Sequence, residues 1–197
     1  MIYFLFLYKY MSFYKSIPLF NVLSDAARHG HIIIFQENLS IGGILPLCDL
    51  LYVLQIAAEY DHFDIVKYII SLIQIQSDHD DKFLLSISRC INLSSANGNL
   101  SMVEYLISLG DELGTDYQKN IIIGITLYRY PAKECYRSAF SHCVSNGHLN
   151  IIKYFVSLGV DIKNDQSRLD IHAIEAYKRG YTDIVDYFIS LGATLQV

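Results

Sequence analysis

Residues 147–159, GHLNIIKYFVSLG, and residues 180–192, GYTDIVDYFISLG, are variants of one pattern. Two further copies precede them, GNLSMVEYLISLG at 98–110 and DHFDIVKYIISLI at 61–73, and a weaker one, GHIIIFQENLSIG, occupies 30–42. In the copies starting at 98, 147 and 180 the bounding glycines stand 12 residues apart. The five starts are separated by 31, 37, 49 and 33 residues, so the short steps lie near a 33-residue period and the long ones carry insertions.

Counting the first residue of each copy as position 0, positions +4, +5, +8 and +9 are almost always Ile, Val, Leu, Met or Phe, and +11 is Leu or Ile. Positions +3, +6 and +10 are mostly Asn, Ser, Asp, Lys or Glu. At about 100° per residue the apolar set sweeps roughly half of a helix circumference, wider than the stripe of an ordinary surface helix. Such a helix needs neighbours on both sides. Tyr68, Tyr105, Tyr154 and Tyr187 at +7 fall where the two arcs meet, which lets a ring pack while its hydroxyl reaches water.

A second helical pattern lies upstream of each start. Position -4 is small (Ala26, Ala57, Ser94, Cys143, Ala176), and so is -3 in Ala27, Ala58 and Ser95. Val144 follows at -3, and the last copy alone is bulky there, with Tyr177. Position -7 is apolar: Leu23, Leu54, Ile91, Phe140 and Ala173. Small residues allow a first helix to approach its partner closely, and Gly at position 0 supplies the backbone freedom for a sharp reversal. Each unit reads as helix, tight turn, helix, then an exit into a loop.

The pattern resembles the ankyrin-repeat family, A-A-x-x-G-H-x-x-I-V-x-x-L-L-x-x-G, carried best by Ala26-Ala27-Arg28-His29-Gly30-His31 and by Gly147-His148-Leu149-Asn150-Ile151-Ile152. The recurring Lys-Tyr-x-x-Ser-Leu-Gly type of ending is similar to the ankyrin-repeat proteins encoded by giant DNA viruses of amoebae. The resemblance covers residues 21–197 and implies an all-α solenoid of about five helix-turn-helix units, near 21–45, 50–80, 86–116, 136–164 and 168–197. The family's Thr-Pro-Leu-His opening is absent at every copy, so the starts of the first helices are left unset.

Two insertions interrupt the period. The step from 98 to 147 exceeds 33 by 16 residues, which places an insertion within 111–135; its segment NIIIGITLYRYP (120–131) either extends the loop as a hairpin or packs as an extra helix. The smaller one, QIQSDHDDK (74–82), reads as an acidic solvated loop, since it lacks the Gly and terminal Glu of a calcium loop.

In this architecture the ends of the first helices line a concave surface. Positions -2 and -1 vary freely, giving Arg28, His29, Glu59, Tyr60, Asn97, Asn146, Lys178 and Arg179 as candidate partner-binding residues; Tyr60 and the Lys178–Arg179 pair are the expected anchors. The expected partner is a protein, of a host if the chain is viral, and the expected assembly is a monomer. Ubiquitin-ligase tethering, which the resemblance brings with it, is not expected with 20 residues outside the repeats.

Composition supports the binding reading and weakens others. The 197 residues are 52% hydrophobic and 18% charged, with net charge -5 and no long basic run, which disfavours a nucleic-acid binder. No phosphate-cradling Gly-rich loop or nucleophile elbow occurs, so no enzyme, cofactor or small-molecule substrate is expected. Cys135, His142, Cys143 and His148 are the densest group of soft ligands, yet their spacing fits no common zinc pattern. No metal is expected. Cys48, Cys90, Cys135 and Cys143 form no CxxC pair and read as reduced thiols of an intracellular, cytoplasmic protein. Residues 1–20 begin MIYFLFLY, too short an apolar run to span a bilayer and lacking signal-peptide flanks. They read as an aromatic flap over the first unit. The alternative is a membrane-associated structural protein that uses this segment; a drifting duplicate with no retained partner is a third reading.

Overall fold

The small residues at -4 mark the places where one helix ends and the chain reverses. In the computed structural model, which describes residues 19–43, 45–76, 81–112, 139–159 and 166–195, every regular element among these residues is an α-helix. They are α1 (residues 19–29), α2 (Ile32–Gly42), α3 (Leu47–Glu59), α4 (Phe63–Gln76), α5 (Asp81–Asn97), α6 (Leu100–Glu112), α7 (Ala139–Asn146), α8 (Leu149–Ser157), α9 (Gln166–Arg179) and α10 (Thr182–Ser190). The chain divides into two compact units, residues 1–90 and 91–197, with the division inside α5.

One turn joins the helices of every pair. The residue at position 0 has positive φ: +72° at Gly30, +80° at Gly98, +83° at Gly147 and +80° at Gly180, with Asp61 at +66°. The N–H at +1 then donates to the carbonyl at -4, as His31 to Ala26 (2.9 Å), His62 to Ala57 (2.8 Å), Asn99 to Ser94 (3.0 Å), His148 to Cys143 (2.9 Å) and Tyr181 to Ala176 (3.0 Å). This six-to-one bond across a left-handed residue satisfies a carbonyl that a helix end would otherwise leave orphaned. The +1 residue sits in an inverse γ conformation (His148 φ -94°, ψ 71°; Tyr181 φ -84°, ψ 77°), and its own carbonyl accepts the first bond of the second helix from position +5. Two helices are thereby set antiparallel across two residues.

Each second helix carries a recurring local bond in its second half. The hydroxyl at +10 donates to the carbonyl at +7: Ser71 to Tyr68 (2.6 Å), Ser108 to Tyr105 (2.8 Å), Ser157 to Tyr154 (2.7 Å) and Ser190 to Tyr187 (2.6 Å), with Ser40 to Glu37 (2.7 Å) in the first pair. These serines bond back to a carbonyl one turn earlier on their own helix, and at Tyr154 and Tyr187 that carbonyl also accepts a backbone N–H, from Leu158 and Leu191.

Burial follows the repeat positions. Leu23, Leu54, Ile91, Phe140 and Ala173 at -7 are buried, as are all five residues at -4. So are Ile65, Met102, Ile151 and Ile184 at +4, with Ile69, Leu106, Phe155 and Phe188 at +8. Fully removing such a side chain from water is worth about 1.5–3 kcal/mol. The tyrosines at +7 are half-buried, as the pattern requires. The weak first copy departs: Ile34 at +4 and Ile41 at +11 are exposed, and Asn38 replaces the apolar residue at +8.

The first helices do vary in their starts. Helix α3 begins behind Pro46, whereas α5 begins at Asp81 and α9 at Gln166, ahead of the 86 and 168 read from the period. The acidic insertion is mostly helical: α4 continues through Gln76 and α5 starts at Asp81, so only 77–80 lie outside the described residues. Residues 1–18 and 113–138 lie outside the described residues, and with them the aromatic flap and most of the 111–135 insertion.

The glycines at 98 and 180 separate two demands on position 0. A Cβ at either would be strained by positive φ, but only at Gly98 would it meet a neighbour, the His148 ring at 2.6 Å. At Gly180 nothing lies within 4 Å. Gly180→Ala should therefore cost about 1 kcal/mol of unfolding free energy in urea. Gly98→Ala should cost about 2–4 kcal/mol, because the His148 ring must also move. Equal losses would show that the ring contact contributes nothing.

Candidate functional site

The candidate surface starts from the turn, because the turn decides which groups at -2 and -1 are occupied and which face water. In residues 1–90, the ring of His62 lies against Gly30 and its Nε2 donates to the carbonyl of Arg28 at 3.0 Å. In residues 91–197, His148 lies against Gly98 and its Nε2 donates to the carbonyl of Ala96 at 2.9 Å. Tyr181 lies against Gly147 in the same way, 2.8 Å from where a Cβ would stand. The ring at +1 of one pair thus seats on the glycine at 0 of an earlier pair. In both His cases it also takes the carbonyl two residues before that glycine. The backbone at -2 is committed to packing while the side chains at -2 and -1 project outward.

In residues 1–90 this brings the sequence-selected residues together. The Arg28 guanidinium stands 5.6 Å from the centroid of the Tyr60 ring, a cation–π distance. Tyr60 is 46% exposed, so the pair is a surface feature. His29 is exposed beside it; its Nδ1 lies 2.9 Å from the Asp25 carbonyl and 3.4 Å from the Asp25 carboxylate, and its ring stacks on His31 at 6.0 Å. Glu59 is exposed next to Tyr60. Tyr52 was not selected from the sequence but is 56% exposed, with its ring 5.8 Å from Phe20. It stands at -9, about two turns of α3 before Tyr60.

A shallow depression of about 250 Å³ adjoins this turn, lined by Gly30, Ile32, Asp61, His62, Phe63, Asp64 and Ile65. Its polar groups are two carboxylates and the imidazole already engaged with Arg28. Residues 91–197 carry the other selected positions. Asn97 and Asn146 are exposed at the ends of α5 and α7; the Asn146 amide donates to the His142 carbonyl at 3.0 Å. Lys178 and Arg179 are exposed in the last turn of α9, where cations complement the helix dipole. Arg179 is held by Glu175 one turn back, Nε to Oε1 at 2.6 Å. Of the expected anchors, Lys178 carries its charge into solvent and Arg179 shares it with a carboxylate.

The soft-ligand group behaves as packing. Cys143 is buried, 3.6 Å from the Ser95 carbonyl, and desolvation pushes its thiol up to about 12. Cys90 is buried near the Leu54 carbonyl, and burial likewise pushes its thiol up to about 12. Neither offers a thiolate near neutral pH. His148 is engaged as described, and Cys135 lies outside the described residues. Among the described residues no three His, Cys, Asp or Glu converge on a common point, and no helix is long and apolar enough to cross a membrane.

A half-buried imidazole borders the core of residues 91–197. His172 packs 5.2 Å from Phe140 and 6.3 Å from Phe188, while Phe140 also faces Phe155 at 6.4 Å. Burial among these rings lowers the imidazole below its ordinary value, nearby Arg168 lowers it further, and Glu175 opposes both. The unfolded chain then takes up the proton more readily than the folded one. Stability is full above the ordinary value of 6.5 and declines as pH falls below it. The thermal midpoint should drop between about pH 7.5 and pH 5.5, and His172→Phe should flatten the drop relative to wild type. An unchanged slope in the variant would remove His172 from the acid response.

No family model and no curated protein matches the chain.

Proposed function

We propose that the chain is an ankyrin-repeat array acting as a non-catalytic scaffold that binds a partner protein through the ends of its first helices and the neighbouring loops. The observation that carries this reading is the division of labour at the turn. The carbonyls of Arg28 and Ala96 are taken by His62 and His148, whereas Arg28, His29, Tyr60, Asn97, Asn146, Lys178 and Arg179 keep exposed side chains. Residues placed this way can be exchanged with little effect on packing, which suits a surface selected for recognition.

The Arg28–Tyr60 pair supports it further, since a preformed ring and guanidinium give contact area at small entropic cost. The sequence likeness to viral ankyrin-repeat proteins makes a host protein in the cytoplasm the fitting partner. Charge reversal of Lys178 and Arg179 combined with Tyr60→Ala should reduce capture of an identified partner at least about tenfold while leaving the circular dichroism and melting curve near wild type. Unchanged affinity would move the binding surface elsewhere.

A second reading, association with a membrane surface, is favoured by one observation. The first pair exposes Val22 (40%), Ile33 (67%), Ile34 (44%) and Ile41 (86%), an apolar set next in the chain to the aromatic segment 1–18. Flotation with anionic liposomes separates the two: full-length chain should stay unbound if the scaffold reading holds. Binding that disappears on removal of residues 1–20 would establish the membrane reading.

A further inference from the structure

We draw no further inference here: the strongest candidate, the apolar surface patch that Val22, Ile33, Ile34 and Ile41 expose on α1 and α2, adjoins residues 1–18, which lie outside the described residues, and nothing in the structure shows what covers it.

Discussion

Everything described depends on one reversal of the chain, the two residues at 0 and +1. Four requirements meet there. The 0 residue must adopt positive φ, the +1 N–H must reach back to -4, the +1 carbonyl must open the next helix, and at His62, His148 and Tyr181 the +1 ring must lie on an earlier glycine. Glycine meets the first at least steric cost, and Asp61 shows that a short polar residue also meets it, at a φ of +66°. The fourth requirement makes the glycine doubly constrained. At Gly30 a Cβ would stand 2.6 Å from the His62 ring, so the absence of a side chain there creates the seat on which the next turn rests. Backbone conformation and packing between pairs are thus settled by the same atom.

The candidate surface follows from this constraint. A side chain at -2 or -1 lies one or two residues from the most tightly specified point of the repeat, yet the specification is spent on backbone groups. His62 and His148 hold the carbonyls of Arg28 and Ala96 and ask nothing of their side chains. Ala96 and Arg28 therefore do equivalent structural work with unrelated chemistry outward. A surface built this way can be made basic, as at Lys178 and Arg179, or amide-bearing, as at Asn97 and Asn146, without renegotiating the fold.

Much of this was legible in the residues. The all-helical character, the small residues at -4, the apolar -7 row and the half-buried tyrosines at +7 are local patterns, repeated often enough to be read against one another. Serine at +10 could be counted, but its bond to the +7 carbonyl emerged only with the side chains in view. What local pattern could not show was which turn touches which. His62 bonds to a carbonyl 34 residues earlier and His148 to one 52 residues earlier, and the unequal separations conceal that the two bonds are of the same kind. The Arg28–Tyr60 pair was hidden for the same reason. The start of α5 at Asp81 escaped because a carboxylate-rich stretch reads equally as a solvated loop or as the first turn of a helix, and packing decides between them.

The pair α9 and α10 is held by polar ties as well as by apolar packing. Its helices meet an earlier neighbour through Phe140 against His172 and Phe188. The Asp170 carboxylate accepts from the Thr194 N–H at 2.7 Å, the Thr194 hydroxyl at 3.0 Å and the Gln166 amide at 2.8 Å, while that same amide also donates to the Gly192 carbonyl. These bonds tie the chain leaving α10 back to the first turns of α9. The Thr194 N–H above all, with the Gln166 and Thr194 side chains, holds the Asp170 carboxyl below its ordinary value. A carboxyl depressed on folding contributes above its unfolded value and loses that contribution as pH falls through its folded value. His172, depressed by burial, acts earlier, from 6.5 downward. Asp170 and His172 both sit on α9, so acid should loosen this pair ahead of the rest of residues 91–197: one of its polar ties and its ring packing both depend on proton occupancy.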